Sequence, residues 1–444
     1  MSNEKVMNRW FVVVGAILIQ LALGAIYAWS AFTKVLTDSN GAYKFSAGQT
    51  AWIFSAGLFF FALVMVWAGR KLATIGPQKL AMAGGLVLGI GYVLAGLFGS
   101  SFITQLIFIG VIGGSGIGLA YVVPIAVGVK WFPDKKGMLT GLAVAGFGFG
   151  ATIWVKWAGS WGGGLLNNLS LAGLDGTRSV FLLYGIIFAA MVLIGSLVMK
   201  EPPAGWLPEG YTPPKAGDAK ASGTVDFDSS EMIKTPQYYM LFITFLFSAL
   251  AGLMVIYCIK LFGIDALTYA KLGTLDPSTE GFSDVVKAAG ATAGTAMAWY
   301  AILNGLGRIA WGTVSDKIGR KMSLFLMTLF QGIIMLSFYK LGATENGLII
   351  AASIIGFNFG GNFALFPAAT ADFFGTSTVG KNYGYVFFAY GIAGIVGPQI
   401  AGIFKDAAKG ATDPSAWLTP FIIAGVACLL GAVISIISKP PKKA

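Results

Sequence analysis

The stretch Ile53-Phe54-Ser55-Ala56-Gly57-Leu58-Phe59-Phe60-Phe61-Ala62-Leu63-Val64 carries no charge and no polar face. An amphipathic helix of a soluble protein repeats polar residues at 3.6 spacing. This run does not, so a helix built from it meets apolar surroundings on every side. Crossing a bilayer takes about 20 such residues, and twelve stretches of that kind follow one another along the chain. The first six are 10–34, 50–69, 80–99, 103–130, 137–157 and 179–199. The second six are 237–262, 288–314, 322–341, 347–371, 382–405 and 417–438. The expected fold is an all-α polytopic membrane protein of twelve transmembrane helices in two six-helix halves. Composition agrees: 11% of the 444 residues are charged, against about 25% in soluble domains.

The chain contains no histidine, which removes the side chain most used for proton transfer and metal binding near neutral pH. Its two cysteines, Cys258 and Cys428, lie far apart in apolar runs without ligand spacing and read as small core residues. No phosphate-binding Gly-rich loop ending in Lys-Ser or Lys-Thr is present. An enzyme, a metal site and a resident cofactor are therefore not expected. The excess of 30 Lys and Arg over 19 Asp and Glu reports loop topology rather than a nucleic-acid partner. Nineteen of the cations fall on the side that carries both termini and ten on the other. By the positive-inside rule both termini are cytoplasmic. A multi-pass protein of the inner membrane, embedded in the lipid bilayer as a monomer, is expected. The first apolar run is too long for a signal peptide, and no small-residue cleavage site follows it.

Residues 200–236 hold Pro202-Pro203, Pro213-Pro214, several charges and small polar residues, the composition of a linker. The chain divides there into an N-terminal six-helix bundle, 1–199, the cytoplasmic linker, 200–236, and a C-terminal six-helix bundle, 237–444. The halves echo each other. Gly116-Ile117-Gly118-Leu119-Ala120-Tyr121-Val122-Val123-Pro124, followed by Trp131-Phe132, parallels Gly360-Gly361-Asn362-Phe363-Ala364-Leu365-Phe366-Pro367, followed by Phe373-Phe374. Ala145-Gly146-Phe147-Gly148 parallels Tyr390-Gly391-Ile392-Ala393-Gly394. Equivalent helices of two repeats around a midplane site are a transporter design, and glycine faces let such helices pack closely.

The loop Gly312-Thr313-Val314-Ser315-Asp316-Lys317-Ile318-Gly319-Arg320-Lys321 resembles the G-x-x-x-D-[RK]-x-G-[RK] motif of the major facilitator superfamily. The resemblance implies that Gly312, Asp316 and Arg320 belong to a latch between the halves. The matching loop Gly69-Arg70-Lys71-Leu72-Ala73-Thr74-Ile75-Gly76-Pro77-Gln78 keeps both glycines but has Ala73 where the aspartate would stand. Trp131-Phe132-Pro133-Asp134-Lys135-Lys136-Gly137-Met138-Leu139-Thr140-Gly141-Leu142-Ala143-Val144-Ala145-Gly146 is similar to the aromatic, basic, then G-x-A-x-A-G motif of monocarboxylate transporters. Together with Ala364-Leu365-Phe366-Pro367 and Asn382-Tyr383-Gly384, the segment Trp131–Lys136 also looks like bacterial oxalate:formate antiporters. Three positions depart from these patterns. Gly24 replaces the acidic residue of animal carriers, although Tyr27-Ala28-Trp29 keeps the aromatic part. Asn304 stands where those carriers have an aspartate, as in the oxalate branch. Tyr390 stands where the oxalate branch has a lysine.

Twenty-nine of the 30 cations sort into loops and helix ends; the remaining one is Arg308, inside the eighth span. An arginine at mid-bilayer costs about 2.5–3.5 kcal/mol on insertion scales and stays protonated. It therefore calls for a polar cavity and an anion, with Gly305 and Gly307 expected to clear the space. A substrate carboxylate matches the guanidinium fork. Asn304, one turn earlier on the same face, can share that carboxylate or hold the guanidinium. Tyr121 and Tyr390 are candidate hydroxyl donors, and Phe363, Phe387 and Phe147 a candidate apolar wall; the family resemblance strengthens Tyr121, Phe363 and Tyr390. Tyr257 and Asn358 complete the candidates. One buried cation balances a monoanion, whereas a dianion would leave a charge uncompensated in low dielectric. The expected activity is secondary transport of a small, lactate-like monocarboxylate around Arg308, with a proton that travels on the substrate. Anion antiport of the oxalate:formate type is the alternative, and a carboxylate sensor that moves nothing is the reading from another class.

Overall fold

In the computed structural model, residues 6–37, 41–159, 161–212, 225–407 and 410–441 are described. Among them run twelve long helices. Helix α1 is Trp10–Leu23, continued by a 3-10 turn, Gly24–Ala28, into Trp29–Leu36. Then come α2 (Ala47–Ile75), α3 (Pro77–Phe98), α4 (Phe102–Trp131), α5 (Lys136–Gly159) and α6 (Gly176–Ser196). The second set is α7 (Pro236–Leu272), α8 (Phe282–Ile318), α9 (Arg320–Leu341), α10 (Glu345–Phe374), α11 (Val379–Ala407) and α12 (Ser415–Ile437). Local chemistry sets their ends. Ser46 and Gln49 form a capping box at the start of α2, and Thr235 caps α7 ahead of its first residue, Pro236. Gly76 and Gly319, at φ 85° and 86°, turn the chain from α2 to α3 and from α8 to α9. That left-handed backbone favours glycine, and its recurrence at equivalent loops is a structural counterpart of the sequence echo.

Several helices outrun the apolar stretches. Helix α7 continues past residue 262 to Leu272 and takes in Asp265, and α10 continues to Phe374 and takes in Asp372. Both acids lie beyond the apolar stretches, near the ends of their helices, and both form ion pairs. Eleven helices among the described residues are long and apolar enough to cross a membrane. Helix α8 is the exception, because its charge-free run, 288–307, is rich in Ala, Gly and Thr and includes Asn304, which lowers its hydropathy. Its place in the bundle makes it the twelfth span. Large apolar side chains such as Val14, Ile90, Ile186, Ile403 and Val433 lie exposed around the bundle, as lipid-facing positions require.

Helix α8 packs against both α5 and α10, and α2 packs against α11. The contacts of α8 with α5 and of α2 with α11 join the first six helices to the last six. At the end where α1 begins and α12 stops, the two sets are sealed by charge. Asp316 accepts hydrogen bonds from the Gly137 and Met138 amides at the start of α5, at 3.0 and 2.7 Å. It thereby caps a helix of the other set, where a carboxylate also meets the positive end of the helix dipole. Arg320 bridges Asp316 and Asp372 at 2.8 Å each, and Lys136 closes the chain onto Asp372 at 3.0 Å. A side chain on Gly312 would collide with the Gly137 carbonyl, so the backbones meet directly. The first-half loop repeats the geometry without the acid. Gly69 abuts the Gly380 carbonyl in the same way, Ala73 offers no cap, and Arg70 lies 5.1 Å over the Tyr385 ring instead.

The linker is less open than its composition implies. Pro213-Pro214, Lys215 and Lys220 lie outside the described residues. Its last part is docked: the Phe227 amide donates to the Phe374 carbonyl at 2.9 Å, and the Ser229 hydroxyl donates to Asn382 at 2.8 Å. Asp228 caps the short helix Ser229–Met232 and pairs with Lys381. The hydrogen bonds from Lys381 and Ser230 hold its carboxyl well below the usual range.

Hydrogen bonds to a charged group contribute about 1.5–3 kcal/mol each. Asp316→Asn should therefore weaken the seal. A cysteine introduced at the fully buried Ala364, beside Gly312, should be alkylated at least about tenfold faster in that background. The buried Cys258 and Cys428 supply the blank. An unchanged rate would show that Asp316 does not hold this end shut.

Candidate functional site

Three glycine contacts fix α8 in place. A side chain on Gly141 of α5 would strike the Arg308 carbonyl; one on Gly360 of α10 would strike the Asn304 carbonyl; one on Gly307 would strike the Phe357 carbonyl. The glycines flanking Arg308 thus do not open a cavity, as the sequence reading expects. Gly307 is filled by the α10 backbone and Gly305 by the Phe149 ring. They let three helices meet backbone to backbone, which holds Arg308 at their junction.

Arg308 has no exposed surface. Its Nε donates to Asn304 Oδ1 at 3.0 Å, and its Nη1 donates to the Val144 carbonyl of α5 at 2.9 Å. Nη2 is buried without a hydrogen-bond partner. The guanidinium lies 4.1 Å from the Phe363 ring centre and 5.4 Å from that of Phe147, so ring faces supply part of the stabilisation that water would give. Ion pairs among the described residues sit elsewhere, at helix ends and loops. No carboxylate among the described residues pairs with Arg308.

The seven sequence candidates are brought together. Asn304 bonds Arg308, and Phe363 and Phe147 cover it. Tyr121 packs on Phe147 at 5.6 Å and on Phe387 at 5.3 Å, and Tyr390 on Phe387 at 4.9 Å and on Phe363 at 5.4 Å. Asp316, Gly312 and Arg320 are instead in the seal. Asn358 accepts from Trp311 Nε1 at 3.2 Å; Tyr257 lies half-buried against the apolar core. Sequence reasoning passed over Tyr27 as a site residue. Its hydroxyl is hydrogen-bonded to that of Tyr390, linking α1 to α11, and its ring meets Phe147 edge-on at 5.1 Å. The 3-10 turn Gly24–Ala28 carries it. The signal was in Tyr27-Ala28-Trp29. Gly24 in the same turn lies against the Phe147 carbonyl, leaving no room for a side chain. An acidic residue there is therefore incompatible with this packing. Phe61 and Phe245 complete the aromatic shell, at 4.8 and 5.9 Å from Phe387.

Unsatisfied buried polar atoms normally cost about 1–3 kcal/mol each. Here Arg308 Nη2, the Tyr121 and Tyr383 hydroxyls, Asn358 Nδ2 and both amide atoms of Asn362 are buried without partners. A cavity of about 390 Å³ reaches this shell from the end opposite the seal. Asn304, Tyr27, Tyr300 and Gly148 line its inner part, and Lys156, Gly159 and Lys260 its outer part. Asn304 and Tyr27 therefore separate the open cavity from the guanidinium. The arrangement can accept an anion with hydroxyl and amide donors beside a fixed cation; it offers no nucleophile activated by a base.

The sequence profile of the Major Facilitator Superfamily matches residues 9–275 and 272–444. An uncharacterised transporter of the same type from Escherichia coli K12, YhjX, is 29% identical over 87% of this chain and 86% of its own. The oxalate:formate antiporter of Oxalobacter formigenes is 26% identical over 98% and 94%. Apicoplast pyruvate carrier 1 of Toxoplasma gondii is 24% identical over 86% and 81%. Among solved structures, the proton:xylose symporter XylE superposes with a TM-score of 0.63 at 14% identity, covering 96% of this chain and 94% of its own. FucP in its outward conformation superposes with 0.60 at 17%, covering 96% and 99%. With the profile spanning both sets of helices and the bundle matching those of solved carriers, the chain belongs to the major facilitator superfamily.

Proposed function

We propose that this transporter moves a small monocarboxylate of the lactate type by alternating access around Arg308. The observation that carries the reading is the fully buried guanidinium with a free Nη2 edge and no carboxylate among the described residues to pair with it. A substrate carboxylate supplies the counter-charge; Tyr121, Tyr390 and Asn304 supply hydrogen bonds, and Phe363, Phe387 and Phe147 exclude water. The shell holds neither histidine nor acid, so a coupled proton has the substrate carboxylate as its carrier, taken up as that carboxylate leaves Arg308. The sealed end, which bears both termini, faces the cytoplasm in this reading, and the cavity faces outward. The two six-helix bundles, joined by 200–236, rock about the site in a monomer of the inner membrane, with Asp316, Gly312 and Arg320 latching the inner end.

A second reading is exchange of one carboxylate for another, favoured by the similarity to the Oxalobacter oxalate:formate antiporter over nearly the whole chain. Arg308 need never be empty in such a cycle. The lysine that the resemblance expects at position 390 is absent, however. One cation leaves half of a dianion uncompensated in low dielectric, which favours monoanions.

Proteoliposomes separate these readings. Lactate uptake driven by an inward pH gradient, with no anion inside, is the expected result; uptake that requires internal carboxylate establishes exchange. Tight oxalate binding without competition by lactate would overturn the monocarboxylate assignment. Arg308→Lys keeps the charge but loses the fork, and uptake should fall by about 30- to 100-fold with normal membrane insertion; unchanged uptake refutes the role of Arg308. Tyr390→Lys should lower the oxalate concentration that half-inhibits lactate uptake by at least about tenfold.

A further inference from the structure

A second hollow lies on the outside of the bundle, at the sealed end. It is a groove of about 480 Å³ between the start of α7 and the last turn of α12. Pro236, Tyr239, Met240 and Ile243 form one wall, and Ile434 and Ile437 the other. Tyr239 and Ile437 are more than half exposed, so the groove opens on the surface that lipid covers. A tyrosine there stands where aromatic belts mark the membrane interface. The charged residue among its described lining is Lys234, which is exposed. Lys439, two residues beyond Ile437, is exposed as well. Ion pairs among the described residues involve neither lysine. The acid nearest Lys234 in sequence, Glu231, accepts from the Asp228 amide at 2.7 Å in a capping box. The groove thus joins an apolar floor to a cationic rim.

We propose that this groove binds an anionic phospholipid, with an acyl chain between α7 and α12 and the phosphate held by Lys234 and Lys439. A lysine lays its stem along apolar surface and keeps its ammonium at headgroup level. Basic pockets between membrane helices recognise anionic headgroups in this way. A phosphatidylcholine headgroup brings its own cation and gains less from the two lysines. Neither the groove nor its rim depends on which substrate Arg308 takes. The position also gives the lipid a hold on the linker. Lys234 lies between the short helix Ser229–Met232 and Thr235, which caps α7. That short helix is fastened to the start of α11 through Ser229 with Asn382 and Asp228 with Lys381. A headgroup on Lys234 steadies the junction of linker, α7 and α11.

The test places a photoreactive side chain in the groove. The full chain carrying Tyr239→p-benzoylphenylalanine is irradiated in nanodiscs of equal phosphatidylglycerol and phosphatidylcholine, and mass spectrometry reads which lipid it has captured. Phosphatidylglycerol adducts should outnumber phosphatidylcholine adducts by at least about fivefold. Lys234→Gln with Lys439→Gln should bring that ratio below about twofold, whereas Lys234→Arg with Lys439→Arg should retain it. The exposed Lys71 and Lys79, which flank the turn from α2 to α3 at the same end, provide the comparison. Lys71→Gln with Lys79→Gln should leave the ratio unchanged. A ratio near one in the chain with all four lysines overturns the site. So does an equal loss from the Lys71 and Lys79 pair, which would make the preference a property of the whole basic face. Adducts of twice the chain's mass would put a second copy in the groove instead of a lipid. Loss of the enrichment in ~1 mM glycerol 3-phosphate, far too dilute to screen charge, would show a site for soluble phosphate and overturn the lipid as its ligand.

Discussion

A guanidinium that never loses its proton has been taken out of water at the meeting point of α5, α8 and α10. The desolvation of such a charge costs several kcal/mol even after relaxation, and what surrounds Arg308 is arranged to offset part of that. Asn304 and the Val144 carbonyl each take a hydrogen bond, and the rings of Phe363 and Phe147 lie against the charge. These are neutral groups. They stabilise the cation without cancelling it, and Nη2 is buried without a hydrogen-bond partner. The backbone contacts at Gly141, Gly307 and Gly360 follow from the same requirement, since only close helix approach brings a carbonyl of α5 within reach of α8.

The charges beyond that centre are distributed unequally between the two ends. At the sealed end Lys136, Arg320, Asp316 and Asp372 form a closed network in which every member has an opposite partner. At the open end Lys156 and Lys260, one from each set of six helices, line the cavity. The seal is a set of satisfied ion pairs that ties the two sets of helices together at that end. Hydrogen bonds from α5 amides to Asp316 carry an additional consequence: a residue of the ion-pair network also completes a helix belonging to the opposite set.

The loops after α2 and α8 repeat each other in their glycines and differ in their charges. Gly76 and Gly319 adopt nearly the same positive φ, and Gly69 against Gly380 copies Gly312 against Gly137. In the first-half loop Ala73 stands where Asp316 does and Pro77 where Arg320 does, which removes the cap and its ion pair on that side. The end of the linker occupies the neighbouring start of α11 instead, through Asp228 with Lys381 and Ser229 with Asn382. Composition alone marked this segment as a plain connection, because Phe374 and Asn382, which dock Phe227 and Ser229, lie more than a hundred positions away.

The helical membrane class, the number of spans, the loop motif around Asp316 and the isolation of Arg308 were all legible in the sequence, since each depends on local composition or on a count of charges. The site candidates were also legible, because a lone charge in an apolar helix must attract whatever polar and aromatic groups its neighbours offer. Three things depended on the tertiary structure. The glycines beside Arg308 are filled by other backbones, Tyr27 reaches Tyr390 across the bundles, and Lys156 meets Lys260 across one cavity. Each is a relation between helices remote in sequence, and helix periodicity carries no information about which faces of which helices will meet.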